Sequence, residues 1–171
     1  MEAKERRAKI LRLLRSSSAP ITGSELAQRM GGSRQIVVQD VALLRTGGSM
    51  IFATPEGYAM PNVVGNVVRR VIATKHTTNA QMRDELETVV DLGGTMVDVS
   101  IEHPVYGEMT APLRLSSRAG VEVFMRHFES GETSPISQLT GGVHLHTVEA
   151  PDEQTMERIL TALREKGYLV E

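Results

Sequence analysis

SELAQRMGGSRQIVVQDVALLR, residues 24 to 45, joins two helical patterns through a pair of glycines and so decides the N-terminal fold. From Ser24 the apolar positions Leu26, Ala27 and Met30 recur at helical spacing until Gly31-Gly32 breaks the pattern. Ser33 is a good N-cap, and a second helix runs from it through Ile36, Val37, Val41 and Leu44 to Gly47-Gly48. Helix, glycine turn and capped helix in that order predict a helix-turn-helix. Turning the second helix by 100° per residue puts Val37, Val41 and Leu44 on one side. Arg34, Gln35, Val38, Gln39 and Ala42 fall on the other. That slim outward face suits a major groove, since Arg and Gln make bidentate bonds to guanine and adenine edges and small apolar groups meet the thymine methyl. Ser33, Arg34, Gln35, Val38 and Gln39 are therefore the candidate DNA contacts. The competing reading is a three-helix packing module with a solvated face.

Upstream, Ile10, Leu11, Leu13 and Leu14 predict a first helix over Arg6 to Leu14, ended by Ser16-Ser17-Ser18 before Pro20. Its Arg6, Arg7 and Arg12 are placed to meet phosphate. Downstream, Met50 to Thr54 and Tyr58 to Met60 flank Pro55-Glu56-Gly57 and read as a short hairpin wing. Residues 1 to 60 hold nine Lys/Arg against five Asp/Glu, while the remainder holds ten against sixteen, so a net charge of −2 conceals a basic N-terminal part. Basic charge of this kind meets phosphate backbone, although it is also common in small helical domains.

The other bounds are simple. A chain of 171 residues with 40% apolar content is long enough for one large or two small folded domains. It has no cysteine, which excludes disulfides, thiolate metal sites and a thiol nucleophile, so any metal is held by nitrogen and oxygen. MEAKERRAKI is charged from its second residue and no later apolar run reaches signal-peptide or membrane length, so a cytoplasmic protein without a membrane segment is expected.

Pro61 to Asn66 reads as a linker, after which the pattern becomes alternating. A strand over Val67 to Lys75 is followed by a helix capped by Asn79 and running to about Asp91. Strands at Thr95 to His103 and Glu108 to Leu115, a helix from Ser117 to Glu129, a strand holding GGVHLHT (141 to 147), a helix after Pro151-Asp152 and a short final strand complete the chain. The order βαββαβ with an appended αβ predicts an α+β protein: a winged helix-turn-helix over 1–62, then a ferredoxin-like α/β sandwich over 63–171.

His144 and His146 lie two residues apart in a strand and so share a face, about 6.5 Å apart by the strand rise. Such a pair can converge on one transition metal, although a bare pair is more often hydrogen-bonded or exposed. His76 lies at the end of the first of these strands, Val67 to Lys75, and the helix after it offers Asp84, Glu85, Glu87 and Asp91. Met82, Leu86, Val89 and Val90 mark the buried side of that helix. Glu85 falls at its edge, with Asp84 and Asp91 nearly opposite. A carboxylate beside a core needs a partner, and His76, Glu85, His144 and His146 would make an N3O shell for one zinc, nickel or iron ion per chain. A salt-bridged surface residue is the alternative for Glu85. His127 is expected to be solvated. His103, at a strand end before Pro104, is read as a hydrogen-bonded structural histidine or a ligand-pocket one, and is the single named candidate for effector contact.

SRQIVVQDVALLR (33–45), ATPEGY (53–58), IEHPVYGE (101–108) and LTGGVHLHTVEAPDE (139–153) resemble, in this order, the niacin-responsive transcriptional repressors, which join a winged helix-turn-helix to a three-histidine domain. The resemblance spans nearly the whole chain. It implies a repressor of NAD-biosynthesis and niacin-uptake genes, with nicotinic acid as corepressor and a bound transition metal. It also implies that His76, Glu85, His144 and His146 hold that metal. The expected partners are double-stranded operator DNA, the small-molecule effector and a second copy of the chain, with residues 63–171 as the metal-binding, ligand-binding and dimerisation domain. A metalloenzyme fused to a DNA-binding module is the competing class. Against it stand the missing cysteine, P-loop and glycine fingerprint, and the lack of a clear acid–base pair beyond the proposed ligands, so no enzymatic activity is expected. A third class, an interaction module with incidental histidines, would bind no metal.

Overall fold

The computed structural model describes residues 2–61 and 67–171. The chain divides into two compact units, Met1–Val64 and Gly65–Glu171. The expected linker and the boundary between 62 and 63 lie outside the described residues.

The first unit holds helices α1 (Ala3–Ser16), α2 (Gly23–Met30) and α3 (Arg34–Thr46) and a hairpin of β1 (Phe52–Thr54) and β2 (Gly57–Ala59). The punctuation is local. The Thr22 hydroxyl accepts from the Glu25 amide at the start of α2, Gly31 closes it in the left-handed conformation (φ 65°), and the Ser33 hydroxyl accepts from the Ile36 amide to start α3. Ile10, Leu14, Leu26, Met30, Val37, Val41 and Ile51 form the core. The wing is fastened to the turn before α2, because Ile21 and Tyr58 exchange both backbone hydrogen bonds at 2.8 Å. Gly57 makes this possible: at φ 133° a Cβ would stand 2.5 Å from the Ile21 carbonyl oxygen.

The second unit runs β3 (Val68–Lys75), α4 (Asn79–Asp91), β4 (Thr95–His103), β5 (Gly107–Leu115), α5 (Arg118–Glu129), a 3-10 turn (Ile136–Thr140), β6 (Val143–Ala150) and α6 (Glu153–Glu165). This is the expected βαββαβ order with a further helix. The sheet is antiparallel with strand order β3-β6-β4-β5, so β3-α4-β4 is a split unit with the histidine strand inserted at its centre. Alternate residues face the helices. Ile72 and Thr74, His144, His146 and Val148, and Met96 and Val99 are buried, whereas Val71 and Leu145 on the other face are 67% and 41% exposed. Met82, Leu86, Val89, Val121, Met125, Met156, Ile159 and Leu163 complete the core from the helical layer.

Two local expectations are corrected. The cap of α4 is Thr78, in a capping box with Gln81, while Asn79 is the first helical residue and its amide donates to the Phe128 carbonyl. The final strand reduces to a bridge of Leu169 to Thr74, extending the β3 edge by one pair. Asp84 stays opposite the apolar side of α4, as expected, with its side chain 45% exposed. It accepts from Lys166 Nζ at 2.7 Å and from the Tyr168 hydroxyl at 2.8 Å, because the chain after α6 folds back across that side of α4.

Candidate metal centre and nucleic-acid face

His76 sits just beyond β3, and His144 and His146 point inward from β6 beside it, as strand parity requires. Ser137, Gly141 and Gly142 shape the approach. Gly142 has φ 97°, and a Cβ there would lie 2.4 Å from the His76 carbonyl oxygen, so only glycine lets β6 begin so close to the end of β3. α4 supplies Glu85, which is fully buried rather than at the edge of the apolar face.

The four side chains converge. Glu85 Oε2 lies 3.0 Å from His76 Nε2 and 3.7 Å from each of His144 Nε2 and His146 Nε2. The ligand atoms of His76, Glu85 and His144 all lie within 4.8 Å of one another. The ring of His144 packs edge-on against those of His76 and His146, with centroids 4.6 and 4.7 Å apart. His144 Nδ1 stands 2.8 Å from the Gly142 carbonyl and His146 Nδ1 stands 2.6 Å from the Asp98 carbonyl. A carbonyl only accepts, so both rings carry a proton on Nδ1, and in their neutral form they aim an Nε2 lone pair at the carboxylate. The Thr74 hydroxyl, 3.0 Å from His144 Nε2, is the donor there.

Acceptors therefore face acceptors. Both Glu85 oxygens and His146 Nε2 are buried without a hydrogen-bond partner, a costly arrangement unless a cation stands among them. Burial would raise the Glu85 carboxyl, but the three histidines hold it well below the usual carboxylate range. Burial would likewise lower His146, yet Glu85 draws it above its usual value. Three imidazole nitrogens and one carboxylate are a donor set that fits Zn²⁺, Ni²⁺ or Fe²⁺, and the protons held on Nδ1 by backbone carbonyls are the usual outer support of metal-binding imidazoles.

A cavity of about 230 Å³ opens beside this centre. His76, His144 and His146 stand along it, and Val99, Leu113, Phe124 and Phe128 give it apolar walls. Thr74, Asp98 and Gly142 were not read as site residues, and Phe124 and Phe128 were read only as the apolar stripe of their helix. Thr74 was findable by parity with His76, but the others act through backbone register or tertiary packing that spacing does not encode. His103 does not line the cavity. Its Nδ1 accepts the Val105 and Tyr106 amides, closing the β4–β5 turn.

In the first unit Ser33, Arg34, Gln35, Val38 and Gln39 are all exposed on one side of α3, while Val37 and Val41 are buried. The unexpected member of α3 is Asp40, which is 2% exposed. Arg6 Nε donates to its Oδ2, and Arg7 Nη1 lies 3.4 Å from its Oδ1. Two of the three α1 arginines expected to meet phosphate are thus engaged in tying α1 to α3. Arg12 remains exposed.

Residues 6–59 match the family of HTH domains and residues 69–171 match the 3H domain. Over 167 residues, 98% of this chain and 94% of the relative, the sequence is 46% identical to a protein of Thermotoga maritima named a probable transcription repressor, NiaR. Over 168 residues, 96% of this chain and 93% of the relative, it is 40% identical to the transcription repressor NadR of Bacillus subtilis.

Proposed function

The chain belongs to the transcription repressors that join a helix-turn-helix domain to a 3H domain, and from that membership we propose a repressor whose grip on operator DNA is set by nicotinic acid. It is a DNA-binding regulator rather than an enzyme. In this reading residues 1–62 bind DNA, with Ser33, Arg34, Gln35, Val38 and Gln39 at base edges, and residues 63–171 hold metal, effector and a second protomer. The regulated genes would be those of NAD biosynthesis and niacin uptake, and the work would be done in the cytoplasm. Among the described residues no helix is long and apolar enough to cross a membrane.

The observation that supports the effector is the cavity of about 230 Å³ with the three histidines of the N3O set on one side and phenylalanine, leucine and valine on the others. A flat pyridine ring suits the apolar walls, and its carboxylate suits a bound cation. The metal would be held by His76, Glu85, His144 and His146, and would supply a positive charge to an anionic effector. The chain's own part is to keep the ligand nitrogens deprotonated, bury the carboxylate and exclude water. Repression then requires that nicotinate prefer the DNA-competent arrangement, since only differential affinity couples two sites.

The test is operator binding by fluorescence anisotropy with the metal-loaded protein, with and without nicotinate, beside a thermal-shift series of nicotinate, nicotinamide, quinolinate and NAD. Nicotinate is expected to tighten DNA binding and to raise the melting temperature most. Identical operator affinity with and without nicotinate would overturn the reading.

A further inference from the structure

We propose that Asp98 is a positioning residue for the metal centre: its backbone carbonyl fixes the tautomer of His146, and its side chain locks the bulge that presents that carbonyl. The role in metal binding rests on the N3O reading above, whereas the tautomer does not.

The register carries the argument. Between β4 and β6, Met96 pairs with Val148 but Ser100 pairs with Leu145, so four steps along β4 span three along β6. One residue of β4 is extra, and the ladder is broken across Asp98. On the other side of β4 the irregularity is reversed: Met96 pairs with Leu115 and Asp98 with Pro112. Arg114, within the extra stretch of β5, has φ 50°. The β4–β6 ladder is thus interrupted at Asp98, which still pairs with Pro112 on its β5 side.

The interruption is bridged by Asp98 itself. The Asp98 carbonyl accepts from His146 Nδ1 at 2.6 Å. The Thr147 amide, which a regular ladder would satisfy, donates instead to Asp98 Oδ1 at 2.9 Å. One residue therefore clamps two consecutive residues of β6, one through its backbone and one through its carboxylate. The clamp opposes a specific alternative. With Glu85 Oε2 3.7 Å away, a neutral His146 would gain by carrying its proton on Nε2 and donating it to the carboxylate. That tautomer would satisfy Glu85 and block the nitrogen needed for metal. The Asp98 carbonyl holds the proton at Nδ1 and leaves both Glu85 oxygens and His146 Nε2 unpartnered, so that a cation is what completes the site.

The experiment compares Asp98→Ala with Asp98→Asn in the full-length protein. The amide oxygen of Asn can still accept from Thr147, so Asp98→Asn is expected to bind Ni²⁺ close to the parent affinity. Asp98→Ala is expected to weaken it about 10- to 100-fold, the usual cost of losing an outer support. In metal-free protein, nitrogen-15 shifts of His146 are expected to report the Nδ1-protonated ring in the parent and in Asp98→Asn, and its loss in Asp98→Ala. Parent-like nickel affinity in Asp98→Ala, or equal loss in Asp98→Asn, overturns the proposal. If Asp98→Ala does not fold, the parent decides, because an Nε2-protonated His146 in the metal-free protein is fatal to the clamp. A parent that takes no nickel but keeps the Nδ1 proton would instead sink the metal reading and leave the clamp standing.

Discussion

A single carboxylate oxygen faces three imidazole nitrogens, and this arrangement fixes what each substitution should do. His144→Ala with His146→Ala removes two of the four proposed ligands, while the helices keep their apolar stripes, so a folded protein that no longer retains metal is expected. Stoichiometric metal in that double variant, by mass spectrometry, would place the site elsewhere. The pH dependence of the metal-free protein follows from the two shifts. Glu85 is depressed below its ordinary 4.5, so its contribution to stability is present above that pH and is lost as pH falls toward the folded value. His146 is raised above its ordinary 6.5, so its contribution is present below that pH and is lost as pH rises through the folded value. Melting temperature in chelator should therefore fall on both sides of the interval between 4.5 and 6.5, and Glu85→Gln should flatten the profile. At this scale the sequence was a good guide to the histidines, because strand parity is geometry. It was a poorer guide to Glu85, since an ideal wheel cannot register that β6 lies close enough to bury it, while His103 is the hydrogen-bonded structural histidine of the two readings, its Nδ1 accepting from two amides of the turn.

At the scale of elements, caps and periodicity carried the reading. Ser33, Gly31 and the apolar stripe of α3 stand where spacing put them, because each acts within a turn of itself. The 3-10 turn before β6 and the bulges of β4 and β5 were not legible, since they answer to partner strands rather than to local propensity. The same limit explains Arg6 and Arg7, which follow the helical pattern of α1 but are claimed by buried Asp40. Replacing Arg6 by Ala leaves that carboxylate short of a partner, so a lower melting temperature is expected. Arg12→Ala should leave melting unchanged and reduce the salt dependence of DNA binding, because an exposed phosphate contact releases counterions. Equal melting temperatures for the two variants would show that the pairing has no structural weight. For Gln35 and Gln39, outward on α3, substitution by Ala should cost about 1–3 kcal/mol on the operator and little on random DNA. Equal losses on both would mean that α3 is not the helix in the groove.

At the scale of the whole molecule, one recognition helix contacts too few base pairs to specify a genomic address, and the usual remedy is a two-fold pair of them. A homodimer is therefore expected, assembled mainly by residues 63–171, on a pseudo-palindromic operator. A closed dimer with a two-fold axis presents the same helix twice in opposite senses, so its half-sites should lie about 34–36 Å apart or at a multiple of that helical repeat. This geometry gives the effector something to act on. On the proposed reading, nicotinate in the second unit would change operator affinity only if protomer arrangements differ in how they hold the two α3 helices, and its leverage would be bounded by its preference for one arrangement. Inserting half a helical turn between half-sites, about 5 base pairs, should then abolish tight binding, whereas inserting a full turn of about 10 should restore part of it. Anisotropy titrations on the three operators, with mass from light scattering, decide the matter. A monomer in every condition, or indifference to spacing, would require the address to be read by one α3 and its wing alone.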